Sequence, residues 1–316
     1  MQKNTQPTPY DGLVNFYELF QVLLDAKKLI IGLTAVFMVG SILYALKLPN
    51  VYTSTAILSP VNQQASGLSG SLSRIGGLAN LAGLNVGFNG ESDSKVAQEI
   101  IKSWGFVEDF IGKYDLEVQL FAVNGWNKKT NSLKIDDDIY ESDNQKWLLE
   151  DNDGELREPT SWELYKKFSK GLEIQEDSDG ELVSLSVSHH SPYVAKQWVD
   201  LIFKEINMYM QQRKLLKVDS NIEFLQAQIN KTSISHMESV FYTIIEEQIK
   251  NKMIAEATPE HTYVLVGRSM VSEIKSGPNR PAYVVFFTML GFILSILVVL
   301  LRHSMSASRK PSAQKN

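Results

Sequence analysis

Reactive side chains come close together at a few points in this chain. His189, His190 and Ser191 stand in a row, and an imidazole beside a hydroxyl or a second imidazole is material for a nucleophile pair or a metal site. They end a run with strand character, where adjacent side chains point to opposite faces, so they read better as a strand edge. Asp136, Asp137 and Asp138 offer oxygen ligands, but no glycine and distal glutamate follow at EF-hand spacing, which leaves a solvated acidic turn. Glu246 and Glu247 are adjacent on a helical segment, where neighbours diverge by roughly 100°, too far for an acid/base pair. Asn230, Lys231 and Thr232 match a glycosylation triplet inside helical sequence and carry no weight. The glycine-rich stretch before residue 90 lacks GxxxxGK[ST], and its nearby lysine, Lys95, does not supply it. With no cysteine in 316 residues, disulfides and thiolate chemistry are excluded. The sequence therefore predicts no catalytic, cofactor-binding or metal-binding residue, and no cofactor.

The elements that would position such residues point elsewhere. Residues 29–46 and 282–301 are uncharged apolar runs, and about 20 residues at 1.5 Å rise cross the roughly 30 Å core of a bilayer. Lys28 and Lys47 flank the first run and can snorkel to lengthen it. No small-x-small cleavage pattern follows it, so it reads as an uncleaved anchor. Lys27, Lys28, Arg302, Arg309, Lys310 and Lys315 on the termini outnumber Lys47, Arg268, Lys275 and Arg280 on the intervening segment. That bias places both termini in the cytoplasm and the middle of the chain outside it. The chain has a net charge of −5 although its termini are basic. An acidic middle segment argues against nucleic acid or anionic lipid as its main partner.

Periodicity then divides the chain into a cytoplasmic segment 1–28, a span 29–46, an α/β base 47–190, a helical hairpin 191–257, a return strand and linker 258–281, a span 282–301 and a tail 302–316. The fold class expected is an α+β membrane protein, with two transmembrane helices flanking an extracytoplasmic α/β base from which a long helical hairpin protrudes. Val51 to Leu58 alternates as a strand. Ile75 to Phe88 is uncharged and glycine-rich, with Ile75, Leu78, Leu81, Leu84 and Phe88 as apolar points that invite contact with a membrane surface or another molecule. A single helix is expected from Ser92 to Tyr114. A helix from Thr160 to Ser169 precedes strands at 172–175 and 182–188. Asn124 to Glu158 reads as an irregular polar excursion.

Ser191 and Pro192 open a stretch with no further proline or glycine until Pro259, so long helices are expected. Trp198, Ile202, Ile206, Tyr209, Leu216, Ile222, Leu225 and Ile229 form a stripe that one helix cannot bury, and it is a candidate oligomer contact. A turn near Thr232 to His236 returns the chain along Val240, Ile244, Ile245, Ile249 and Met253, and His261 to Val266 rejoins the base as a strand. Near the second span, Pro278, Pro281, Gly291 and Ser295 are candidates for packing within the membrane, against the first span or against another membrane protein.

Several stretches together resemble the Wzz family of polysaccharide co-polymerases, which set the chain length of O antigen and related surface glycans. They are VYTSTAILSP at 51–60, the glycine stretch leading into the helix at Ser92, SPYVAKQWVDLIFKEIN at 191–207, and SEIKSGPNRP at 272–281. The resemblance covers nearly the whole chain. One departure stands out: the family usually carries a third proline before the second span, and this chain has Ser272 where it would fall. The resemblance implies a non-enzymatic protein of the bacterial inner membrane with a periplasmic domain. It also implies a homo-oligomeric ring of roughly eight subunits, a Wzy-type polymerase as partner, and lipid-linked glycan as the material handled. Two other layouts share the outline: the membrane half of a capsule exporter paired with a separate tyrosine kinase, and a two-span sensor. The absence of a Walker motif and the short tail after 301 argue against both.

Overall fold

A computed structural model describes residues 16–61, 90–178, 180–231 and 235–308. In chain order, α1 (Phe16–Asp25) and α2 (Lys27–Lys47) precede strand β1 (Tyr52–Pro60). Helices α3 (Gly90–Lys102), α4 (Trp104–Lys113) and α5 (Glu117–Phe121) follow. Six short strands come next: β2 (Val123–Asn127), β3 (Ser132–Ile135), β4 (Tyr140–Glu141), β5 (Lys146–Trp147), β6 (Leu149–Glu150) and β7 (Leu156–Arg157). Then α6 (Ser161–Gly171), β8 (Leu172–Glu176), β9 (Val183–His189), α7 (Pro192–Ile229), α8 (Ser235–Ala257), β10 (Tyr263–Gly267) and α9 (Arg280–Ser308) complete the chain. Two compact units result: residues up to 48 with those from 277 onward, and residues 49–276.

In the first unit, α2 and α9 pack against each other, and both are long and apolar enough to cross a membrane. Their surfaces carry many exposed large apolar side chains, among them Ile31, Val36, Leu43, Val285, Phe286 and Leu297, as expected of helices whose outer solvent is lipid.

The second unit is built on an antiparallel sheet in the order β10-β1-β9-β8. Strict alternation sorts its two faces. Ser54, Ala56 and Leu58 of β1 pair with Val187, Leu185 and Val183 of β9 and are buried. Thr53 and Ser188 share a hydrogen bond at 2.8 Å on the opposite face, as do Thr55 and Ser186. Against the buried face pack Ala97, Ile101, Val107, Phe110, Ile111, Phe168 and the first half of α7.

Local chemistry sets the helix ends. Thr160 and Glu163 form a capping box at the start of α6, and Arg157 holds the Glu163 carboxylate with both guanidinium nitrogens at 2.7 and 2.9 Å. That fork and the Thr160 backbone N–H keep the Glu163 carboxyl at about 2, well below the usual carboxylate range.

Two expectations are corrected here. The single helix expected from Ser92 to Tyr114 is broken at Ser103, whose extended backbone and hydroxyl, accepting from the Phe106 N–H, start a new helix. Serine competes with helical hydrogen bonding and favours caps, and here tertiary packing takes up that option. The excursion from Asn124 to Glu158, expected to be irregular, is organised as three small antiparallel hairpins, β2–β3, β4–β5 and β6–β7. Asn131 takes the left-handed conformation in the first of their turns.

Candidate functional site

The reactive-looking triplet at 189–191 is a structural joint. His189 is buried against Trp198, with ring centroids 5.0 Å apart. Its Nε2 donates to the Gln119 carbonyl at 2.9 Å and its Nδ1 accepts from the Ser191 N–H at 3.0 Å. Both ring nitrogens are occupied by the neutral form, and burial pushes the imidazole down to about 4. Ser191 begins α7, yet its hydroxyl makes no cap bond; its backbone N–H is satisfied by His189 instead. His190 turns away and meets the Asn50 carbonyl at 3.1 Å. Asp136 caps its own turn by accepting from the Asp138 N–H, and Glu246 faces solvent. Among the described residues, no group of three or more His, Cys, Asp or Glu side chains is arranged to hold a metal ion.

The remaining candidate is the hairpin of α7 and α8, whose two halves are held differently. In its first half, Trp198, Val199, Ile202 and Ile206 are buried in the core of the sheet unit. Asn207 then fastens the return strand. Its Oδ1 accepts from the Thr262 and Tyr263 N–H groups at 2.9 and 3.0 Å, and its Nδ2 donates to the Tyr263 carbonyl at 3.1 Å. One turn on, Gln211 donates to the Ala255 carbonyl at 2.6 Å. Beyond that point, among the described residues, α7 lies chiefly on α8. Leu225, Ile244 and Ile245 form a small core with Ile222, Ile229, Val240 and Phe241 beside it, and Lys252 pairs with Asp219 at 2.7 Å.

The proposed stripe therefore divides. Trp198, Ile202 and Ile206 are covered by their own chain, as is Leu225, because the base sheet and α8 reach them first. Ile222 and Ile229 pack partly against the small core. Tyr209 and Leu216 stay exposed, Leu216 by 64%, and they are joined by Phe224, Tyr242, Ile249, Met253 and Ile254, which the stripe did not include. Phe224 lies off the Trp198 stripe in helical phase, so periodicity counted from Trp198 passes it by. The other four belong to α8, where Ile249 and Met253 were expected on the returning apolar face and Tyr242 and Ile254 were not. Asn207 and Gln211 were also missed. The available signal was an asparagine, a poor helix former, set within an apolar helical run.

In the span pair, Gly291 lies so close to α2 that a Cβ there would sit 2.4 Å from the Phe37 Cβ. Ser295 is fully buried and returns its hydroxyl to the Phe292 carbonyl. Both belong to the seam between the two spans, the close approach that small residues permit. Pro281 falls in the first turn of α9, where no N–H is missed, and Pro278 lies just ahead of it. Ile75, Leu78, Leu81, Leu84 and Phe88 lie outside the described residues.

Comparison with known proteins adds the following. The family described as Wzz, chain length determinant protein, matches residues 12–113. A solved structure described as a full-length bacterial polysaccharide co-polymerase is 14% identical, with 95% of this chain and 100% of that chain covered and a TM-score of 0.38. A fragment of WzzB, polysaccharide co-polymerase from Salmonella Typhimurium, is 15% identical over 72% of this chain and 100% of its own, with a TM-score of 0.31. No curated protein matches in sequence. The family match runs from the N-terminal helix through the first span, β1 and α3 to the end of α4, and over that stretch the chain is similar to Wzz chain length determinant proteins.

Proposed function

We propose that this protein regulates the length of a surface polysaccharide without catalysing a covalent step, as a homo-oligomer in the bacterial inner membrane working with a Wzy-type polymerase. Both termini lie in the cytoplasm and the unit 49–276 lies in the periplasm. The observation that carries the oligomer is the second half of the hairpin. Leu216, Phe224, Tyr242, Ile249, Met253 and Ile254 are large, apolar and exposed, on two helices that bury only a small core between them. A water-facing surface of that kind is stabilised by a second copy of itself, and closed symmetry satisfies every copy.

Length control needs a scaffold that holds the growing glycan and its polymerase for a limited time. The test is a deletion strain complemented with the wild-type chain or with Leu216→Glu and Met253→Glu together. The wild type should restore a narrow length distribution on a gel, and the double variant should leave it broad and run as a smaller species in mild detergent. An unaltered distribution in the deletion strain would sink the regulator reading. Gly291→Leu, which must push the spans apart at Phe37, asks a separate question: an unshifted distribution would separate span packing from length control.

A further inference from the structure

Tryptophan is normally well buried, yet Trp104 and Trp162 are 50% and 58% exposed on one patch where α4 and α6 begin. Neither ring is loose. Trp104 Nε1 donates to the Ser161 hydroxyl at 2.9 Å, and that hydroxyl donates to Glu108 Oε1 at 2.7 Å. Trp162 stacks on Tyr165 with centroids 5.5 Å apart and an interplanar angle of 29°, and the Tyr165 hydroxyl is tied to the Lys102 carbonyl at 3.0 Å. Each indole is held at an edge or on one face by its own chain. The neighbouring Gly105 adds no crowding: a side chain built there would meet nothing within 4 Å.

The surroundings differ from the hairpin face. Lys102, Ser103, Glu108, Asp109 and Lys166, on the same helices or at their start, are exposed, so the flat aromatic faces stand among charged groups. A protein interface core is depleted of charge. A pyranose ring, by contrast, has an apolar face of C–H groups ringed by hydroxyls, and it needs both an aromatic surface and nearby acceptors.

We infer that Trp104 and Trp162 form a platform on which sugar rings of the glycan stack, with the Glu108 carboxylate accepting from sugar hydroxyls. This rests on the reading that the chain handles polysaccharide, and it gives that reading a contact point on the side of α4 and α6. A held sugar would dwell on the scaffold, which a free chain end would not.

The probe is surface polysaccharide released by mild acid from the strain that carries this chain, size-fractionated and titrated calorimetrically into the full chain in detergent. The wild type should bind saturably, and Trp104→Ala and Trp162→Ala should each weaken binding by roughly tenfold. Trp104→Phe, which keeps an aromatic face and loses the bond to Ser161, should fall between the two. Absence of binding by the wild type, or alanine variants that bind as tightly as the wild type, overturns the platform. Alanine variants that lose the oligomer in gel filtration would make the patch a subunit contact and also overturn it. The regulator reading fails on a different result, a normal length distribution in the deletion strain, so the two failures cannot be confused.

Discussion

The first and second halves of α7 have similar apolar content and opposite fates. Between Pro192 and Met210 the helix lies on a sheet and beside α4 and α6, and Trp198 is 2% exposed. From Gln211 to Ile229 the same helix has α8 beside it, and large apolar residues remain in water. Amphipathic periodicity states that a face must be covered; it does not state by what. The first half is covered by residues as far back in the chain as Ala56 and Leu58 of β1, whereas among the described residues of 49–276 the second half has no such supply.

That contrast can be broken most severely at Trp198. Trp198→Ala removes a ring packed on Phe168 and His189 and should cost about 3–5 kcal/mol, read as a lower denaturant midpoint of the purified chain. A loss under 1 kcal/mol would mean that the first half is not truly core.

Acid provides the next largest effect. His189 titrates near 4 in the folded chain against about 6.5 unfolded. Above 6.5 both states are neutral and its contribution is full. As pH falls from 6.5 towards 4 the unfolded state takes the proton first, and up to about 3 kcal/mol is lost. Burial lowers His261 as well and adds in the same direction. Midpoints measured at pH 7 and pH 5 should differ in that sense, and His189→Asn should flatten the slope.

Asn207→Ala sharpens the boundary between the halves. It strands the Thr262 and Tyr263 N–H groups, a cost of about 1–3 kcal/mol for each buried donor left unpaired. Hydrogen exchange at β10 should rise while exchange at β9 stays slow. The smallest effect on unfolding is expected in the second half. Leu216→Glu should change the stability of a single chain by less than about 0.5 kcal/mol and, on the proposed homo-oligomeric reading, should give a smaller species in mild detergent.

Much of this arrangement was legible from residues alone. Two uncharged runs fixed the positions of α2 and α9, because a bilayer demands length and apolarity and nothing else in this sequence meets both. Ser191 with Pro192 marked the start of α7, and Thr160 with Glu163 that of α6, because capping is local chemistry. Alternation along Val51 to Leu58 and Leu182 to Ser188 placed two central strands and told their faces apart. Adjacent strand residues point apart, and His189 and His190 meet the carbonyls of Gln119 and Asn50 on different segments.

What the sequence could not supply is every fact that depends on distance between remote residues. Whether Ser103 continues a helix or restarts one is a balance of fractions of a kcal/mol in isolation, and it is settled by how α3 and α4 lie on the sheet. The closeness of Gly291 to Phe37, the grip of Asn207 on β10 and the meeting of Trp104 with Ser161 each join segments separated by more than 50 residues. Local propensity carries no term for such pairings. By itself, then, the sequence determined which segments would be helix, strand or span and which faces sought cover. Tertiary structure alone decided which of those faces the chain could cover for itself, because burial depends on what a distant segment brings alongside.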